Sequence, residues 1–451
     1  MLIWPKTRSG DIRAPCDFSI LTMNRSAQAD AGTPASGPDR ADAATAPSSV
    51  AVVGAGITGL TAAFRLGCRG VPVTLYEASG RVGGVIESVQ QDGYLAEFGP
   101  NTVLETSPVI FSLVKDLGIE SRRLYSDPAA EKRYIVRGGR PVCLPTSPAG
   151  FFSTPLFSAG AKLRLLVEPF IRRAPPEIEE SLAEFVLRRI GREFLEYAIN
   201  PFVAGVYAGD PARLSVRQAF PKLHALEQRY GSLIKGQILG ARERKRRAEV
   251  SKQNAPKFSF IHGLQELVET LRERVADSLK LRHTVLGLRR SGAGWHVRHQ
   301  SSGGERETAH RAVVLCIPAY RIAHLRVDAQ DAPSLAPLAE IEYPPVTSVV
   351  LGFRRQDVEH PLDGFGMLVP QVEGFRILGT LFSSSLFPQR APEGHVTLTS
   401  YVGGTRAPEL ADLPEDELAR IVRGDLERIL GVRGAPTFRH QVFYPLSLIH
   451  I

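Results

Sequence analysis

The apolar and polar positions change rhythm several times along the chain. Four apolar residues run together over Val50–Val53, as in a strand buried on both faces. A glycine-rich turn follows over 54–59, and apolar residues then recur at helical spacing over 60–69. A second apolar strand over 71–76 ends at Glu77. A helix is expected over 107–117, and short strands over 133–137 and 140–144 flank Gly138-Gly139, a hairpin turn signal. Between about 146 and 250 helical periodicity dominates, with helices expected over 161–171, 181–190, 193–199 and 223–240. Strand patterns return at 257–261, 281–288, 295–299, 312–316, 346–354, 365–370, 376–382 and 396–402. Helices are expected over 264–275 and Glu415–Leu430.

A chain of 451 residues exceeds one compact core, so two or three domains are expected. Residues 1–48 read as a disordered tail, because 26–49 is Ala, Asp, Pro, Ser and Thr with almost nothing large and apolar to repay ordering. Met23 is an alternative start. A targeting peptide fits the basic Lys6, Arg8, Arg13 and Arg25, but Asp11, Asp17 and Asp30 interrupt the charge and no apolar segment precedes a cleavage site. The net charge of +8 comes from scattered Arg, apart from Arg242 and Arg244 to Arg247, which read as a solvated helix end. Cys16, Cys68, Cys143 and Cys316 are far apart, which offers neither a disulfide framework nor a metal set and fits a reducing compartment. No stretch reaches the roughly 18 apolar residues of a membrane span, though lying on a membrane remains open.

The chemistry concentrates at 54–101. Gly54, Ala55, Gly56, Ile57, Thr58 and Gly59 form G-x-G-x-x-G between an apolar strand and a helix, and a second strand ends in an acid. Gly54 permits the tight turn, Gly56 lets backbone approach a pyrophosphate drawn by the helix N-terminus, and Gly59 lets helix pack on strand. Glu77 stands where a ribose would hydrogen-bond. Arg81-Val82-Gly83-Gly84 adds a second close backbone approach and a charge suited to phosphate, which moves the reading from NAD to FAD. Glu97-Phe98-Gly99-Pro100-Asn101 supplies a rigid turn suited to lie against a flavin ring; a simple loop is the plainer reading.

With these motifs, the chain resembles the oxygen-dependent protoporphyrinogen/coproporphyrinogen oxidase family of the flavin amine oxidase-like superfamily over roughly 50–446. Further segments carry the likeness: Lys-Arg-Tyr-Ile at 132–135, Pro-Phe-Val-Ala-Gly-Val-Tyr-Ala-Gly-Asp at 201–210 and Leu-Gly-Thr-Leu-Phe-Ser-Ser at 378–384. The resemblance implies an α/β fold: a Rossmann-type FAD-binding domain, an α+β substrate domain and an inserted, mostly helical membrane-associating domain. The expected division is tail 1–48; FAD-binding domain 49–145 and 251–320; helical insertion 146–250; substrate-binding sheet domain 321–410; and 411–451 as the start of a last FAD-domain segment. The chain is expected to stop short of that segment's end, because 447–451 matches nothing in the family.

The implied activity takes six electrons from protoporphyrinogen IX through FAD, with oxygen as acceptor and hydrogen peroxide as by-product, in haem biosynthesis. Coproporphyrinogen III is the alternative substrate, and Tyr207 and Ala208, larger than in some relatives, leave the choice open. By resemblance Arg133 grips a propionate, Leu368 and Leu381 sandwich pyrrole rings, and Tyr401 stacks on the macrocycle; pattern alone would make the last three core residues. Asn101 lies between flavin and substrate, Val285 meets the adenine, and Ala78, Pro100 and Thr102 join the cofactor-binding residues. Positioning and hydride transfer, without a strong side-chain base, is the implied mechanism. No metal and no nucleic acid are expected. Porphyrinogen and oxygen are the partners, with a homodimer left open and a cytoplasmic protein touching the inner face of the cell membrane. An amine oxidase or carotenoid desaturase is the rival enzyme, although Val85 stands where amine oxidases usually carry Arg. A non-catalytic porphyrin carrier is the rival of another class.

Overall fold

The computed structural model describes residues 48–175, 177–246, 255–292, 294–330 and 332–446, with side chains at 241–246 excepted. Residues 1–47, Cys16 among them, and the closing 447–451 lie outside the described residues, as do the basic side chains from Arg242 to Arg247.

The chain forms two compact units, one of residues up to Val82 with Leu271–Ala336, the other of Gly83–Thr270 with Pro337–Ile451. The first unit centres on a four-stranded parallel sheet in the order Leu279–Lys280, Val73–Tyr76, Val50–Val53, Ala312–Leu315. Ala51, Val52 and Leu75 are completely buried, as their unbroken apolar runs require. A second sheet of this unit pairs Gly304–His310, Gly294–Ser301, Thr284–Ser291 and Arg326–Asp328. The Gly304–His310 strand has no apolar alternation, so its pattern does not announce it.

The second unit is built on a seven-stranded sheet: Phe438–Tyr444, Val346–Arg354, His395–Gly403, Ile377–Phe382, Gly364–Leu368, Lys132–Arg137 and Arg140–Cys143. Its pairs are antiparallel except Gly364–Leu368 with Lys132–Arg137, where Phe365 bulges out between Gly364 and Gly366. One face is covered by the Glu415–Leu430 helix. Leu418, Val422, Leu426, Ile429 and Leu430 make a stripe at helical spacing that packs on Tyr134, Phe353, Phe382 and Leu398. The other face carries Ile135, which joins Leu156, Phe185, Phe194 and Val203 of the helical stretch in one core.

Four differences from the expected division follow from this pairing. Residues 83–145 lie in the second unit, because the Lys132–Arg137 strand and its hairpin complete the large sheet. Residues 411–446 also lie there, not in the first unit, because Phe438–Tyr444 pairs with Val346–Arg354. Lys257–Phe260 pairs with Val103–Leu104 and Arg123–Tyr125 in the same unit, whereas 321–336 falls in the first. The helical stretch shares its core with the large sheet instead of standing alone.

Within that stretch the expected 223–240 helix is two, Pro221–Tyr230 and Leu233–Arg246, broken at Gly231 in the left-handed region at φ 70°. A buried charge network holds the pieces. Arg189, with no exposure, donates from Nε to Glu227 (2.6 Å) and from Nη1 to Glu168 (3.0 Å). Glu168 in turn accepts from the Leu233 and Ile234 backbone at 2.9 and 3.2 Å, capping the second helix. Removing one partner would strand a buried charge, which typically costs about 3–5 kcal/mol.

Candidate functional site

In the first unit, the Val50–Val53 strand delivers the glycine turn to the N-terminus of the Ile57–Gly67 helix. Gly54 has φ 99°, and a Cβ there would lie 2.7 Å from the Cys316 carbonyl oxygen. A Cβ on Gly59 would stand 1.8 Å from the Gly54 carbonyl oxygen, so helix and strand meet at a distance only glycine allows. At Gly56, the helix cap, no side chain among the described residues bonds the first-turn N–H groups, and a Cβ would meet none of their atoms within 4 Å. Free donors facing open space at a helix N-terminus suit a pyrophosphate. Glu77 is already engaged: Oε2 accepts from Ala55 N at 2.7 Å and Oε1 from Ser79 N at 2.8 Å. Carboxylate oxygens keep a second lone pair each, so ribose hydroxyls still find acceptors. Thr58, Ala78 and Arg81 are exposed beside the turn, and Arg81 Nη1 donates to the Val82 carbonyl. These residues fit the dinucleotide part of FAD.

Val285 packs with Trp295, Val297 and Leu288 against Tyr76. Beside it lies a cluster that the sequence did not announce. Tyr76 Oη and His310 Nε2 are 3.0 Å apart, the Tyr76 and His299 rings 4.9 Å, and the His283 and His299 rings 5.3 Å. Ser49 closes on His310 Nδ1 at 2.9 Å, and Thr308 on His299 Nε2 at 3.1 Å. Burial first, then neighbouring positive groups (His283 and Arg306 for His299, His299 for His310), hold both imidazoles below the ordinary 6.5. A folded pKa below the unfolded one means that the unfolded chain binds more protons. Stability is therefore full above about pH 6.5 and falls as pH drops through the folded values, by about 1.4 kcal/mol per pH unit for each histidine titrating. Thermal unfolding of the FAD-loaded protein should show a midpoint that declines below pH 6.5; a midpoint flat from pH 7 to 5 contradicts it.

In the second unit, the substrate residues expected from sequence share one sheet face. Pairing sets Leu368 opposite Gly379 and Gly379 opposite Tyr401; two residues along, Arg133 lies opposite Gly366 and Gly366 opposite Leu381. Paired residues share a face and side chains alternate, so Arg133, Leu368, Leu381 and Tyr401 all project from the face opposite the Glu415–Leu430 helix. Asn101 Nδ2 donates to Tyr401 Oη at 3.0 Å and to the Gly99 carbonyl at 3.2 Å, which joins the turn at 97–101 to the same face. Burial first holds the Tyr401 phenol above its ordinary pKa, so it remains a neutral hydroxyl.

Supporting residues emerge only in three dimensions. Gly205, in the Asn200–Tyr207 helix, and Gly379 both abut Leu368: a Cβ on either would lie 2.4 or 3.2 Å from Leu368 Cδ2. Glycines in the 201–210 and 378–384 motifs thus make room for one leucine. Gly99 approaches Val85, where a Cβ would come within 2.1 Å of the Val85 carbonyl oxygen. Gly83 and Gly84 have φ 100° and 60°, and Pro100 is exposed with Thr102 half-buried. The turn itself is anchored by Glu97, buried, accepting from Ser88 Oγ (2.5 Å) and Leu264 N (2.8 Å). On the opposite sheet face, Asp363 accepts from Lys132 Nζ and Tyr134 Oη, both at 2.5 Å, which braces the residues on either side of Arg133. Lys132 first, then Tyr134, hold the Asp363 carboxyl below the usual range. Among the described residues no metal-ligating cluster occurs, and Cys68, Cys143 and Cys316 are free thiols.

Residues 57–449 match the family described as flavin containing amine oxidoreductase. The chain is 39% identical to protoporphyrinogen oxidase 2, chloroplastic/mitochondrial, of Arabidopsis thaliana, covering 86% of this chain and 81% of that protein. It is 31% identical to coproporphyrinogen III oxidase of Bacillus subtilis, covering 86% and 84%. A crystal structure from Exiguobacterium sp. 255-15 shares the fold, with 23% identity, a TM-score of 0.72 and coverage of 89% and 88%.

Proposed function

This chain belongs to the flavin-containing amine oxidoreductases and, within them, to the porphyrinogen oxidases, and on that premise we propose that it oxidises a porphyrinogen to a porphyrin in haem biosynthesis. Its cofactor is FAD. Protoporphyrinogen IX is the substrate we favour, from the greater likeness to relatives that bear that activity in their names; coproporphyrinogen III is the second reading. One observation carries the proposal: Arg133, Leu368, Leu381 and Tyr401 share one sheet face with Asn101 bonded to Tyr401. A cation for a carboxylate, two aliphatic side chains and an aromatic ring on one surface match a flat, apolar macrocycle with acidic arms.

FAD, when bound, would supply the acceptor for a hydride from a meso carbon of the porphyrinogen, with oxygen as the final acceptor of the two electrons and hydrogen peroxide as the product. The protein's own share is placement. Arg133 fixes the propionate edge, Leu368 and Leu381 exclude water from the pyrroles, and Tyr401 supports the ring plane. Asn101, committed to Tyr401 and Gly99 as a donor through its amide nitrogen, keeps its amide oxygen as an acceptor. Pyrrole N–H groups release their own protons, and no carboxylate or imidazole stands on this face in the matched positions, so positioning dominates.

We also read the helical stretch as a membrane-contacting surface on a protein of the cytoplasm. Phe170 is 84% exposed and Leu163 63%, with Phe152, Leu166 and Val167 also outward. Phe157 of the same stretch faces inward, its ring 4.4 Å from that of Phe194 in the core. Among the described residues no helix is long and apolar enough to cross a membrane. Exposed apolar side chains beside Arg164, Arg172 and Arg173 suit an anionic lipid face. The test is oxygen-dependent appearance of porphyrin fluorescence from each porphyrinogen, with and without anionic vesicles. Turnover of protoporphyrinogen with vesicle co-sedimentation at low salt is expected. No turnover of either porphyrinogen refutes the catalytic reading, and protein left in the supernatant refutes the membrane reading.

A further inference from the structure

We infer that Lys257 is a second substrate-binding cation, which together with Arg133 holds the two propionates carried by neighbouring pyrroles of a porphyrinogen. The inference rests on the porphyrinogen reading of this face and extends it to a residue with no role so far.

Arg133 lies over the Phe365 ring at 6.0 Å. Phe365 belongs to a small apolar cluster with Ala130, Leu386 and Phe387. Lys257 approaches the same cluster from another side. It opens the Lys257–Phe260 strand, where alternation puts Lys257 and Ser259 on the face opposite Phe258 and Phe260. Ser259 Oγ accepts from Arg390 Nη2 at 3.0 Å, and the Arg390 guanidinium stacks on Phe387 of that cluster at 5.4 Å. Two backbone contacts fix the placement. Lys257 pairs with Leu104, three residues past Asn101, and its carbonyl accepts from Ser126 N at 2.9 Å, in the segment that leads through Ala130 to Arg133.

The charges are in keeping with this placement. Half-burial first, then the Arg133 guanidinium, pull the Lys257 ammonium below its ordinary pKa, with Glu131 acting the other way. Other cations nearby are matched: Lys132 to Asp363 and Arg123 to Glu105. Among the described residues neither Arg133 nor Lys257 has a carboxylate in hydrogen-bonding contact. Two like charges flanking one apolar floor repel until an anion joins them. The macrocycle supplies that anion twice over: protoporphyrinogen and coproporphyrinogen share an edge where two adjacent pyrroles each bear a propionate. Arg133 takes one arm as a fork, and Lys257, a point charge on a flexible stem, takes the other.

The experiment uses the full FAD-loaded chain with protoporphyrinogen IX and with its dimethyl ester, which keeps the ring and removes both charges. Lys257→Ala and the length-preserving Lys257→Met should raise KM for the free acid about tenfold. They should leave kcat within about twofold and KM for the ester unchanged, and Lys257→Arg should restore the free-acid KM. Unchanged free-acid KM, or an equal rise for the ester, overturns the inference. Arg133→Ala, run alongside, separates the two layers. If it distinguishes acid from ester and the Lys257 variants do not, only the second cation is wrong. If neither distinguishes them, the propionate reading of the whole face falls.

Discussion

Replacing Arg133 by Ala should raise KM for a propionate-bearing porphyrinogen roughly ten- to a hundredfold. That range corresponds to losing a charge-assisted hydrogen bond of about 1.5–3 kcal/mol. The side chain is half-buried over Phe365, so its loss also removes packing area. The strand beneath should not suffer, because Lys132 and Tyr134 remain tied to Asp363 on the far face. An unchanged unfolding midpoint with a raised KM is therefore expected. Arg133→Lys should recover part of the loss only, since an ammonium lacks the forked geometry. Steady-state kinetics decide the matter, and wild-type KM in the Ala variant would withdraw the propionate assignment.

The second large effect is at Gly59. A methyl group there would lie 1.8 Å from the Gly54 carbonyl oxygen, a backbone atom that cannot swing aside. The Ile57–Gly67 helix would have to move off the Val50–Val53 strand, and the open N-terminus at Gly56 would move with it. Overpacking of this kind costs about 1–3 kcal/mol, occasionally more, and here the displacement falls on the helix N-terminus proposed to hold the pyrophosphate. Gly59→Ala should purify without stoichiometric flavin, visible as loss of the absorbance of bound FAD. Gly67→Ala in the same helix is the control: a Cβ there meets nothing within 4 Å, so that variant should be stabilised by about 0.5–1 kcal/mol and remain yellow. A fully flavinylated Gly59→Ala protein would contradict the steric account.

Where local pattern and tertiary demand coincide, the fold was legible. The Val50–Val53 strand and the Glu415–Leu430 helix occupy the expected residues, because a doubly buried strand and a one-faced helix write their burial directly into polarity. The Ser88–Gln91 and Tyr94–Glu97 hairpin was not legible, since polar residues fill its first strand and Glu97 is buried with partners 9 and 167 residues away. The single helix read over 223–240 missed the left-handed Gly231, which a periodicity count does not see. At the site, the glycine turns were readable because each solves a local steric problem. The bond between Asn101 and Tyr401 spans 300 positions, and no local signal reports it. Lys257 reads as nothing more than the first residue of a strand; its interest comes from Arg133, which has no carboxylate partner among the described residues. Domain boundaries were the weakest part, because strands far apart in sequence complete one sheet.

The brace at Asp363 has a consequence for how the sheet assembles. A strand whose pairing slips by one position turns every side chain to the opposite face. The Lys132–Arg137 strand is exposed to that error, since its partner already accommodates an extra residue at the Phe365 bulge. A slipped strand would still bury apolar residues on both sides, because Tyr134, Ile135 and Val136 are all buried. It would, however, direct Arg133 into the core against the Glu415–Leu430 helix. Asp363 breaks this near-degeneracy: only the native alignment brings both Lys132 Nζ and Tyr134 Oη to one carboxylate. The carboxylate thus acts as a registration mark. It raises the fraction of folded molecules in which Arg133 shares the face of Leu368, Leu381 and Tyr401, and leaves the surface of each correctly folded molecule as it was.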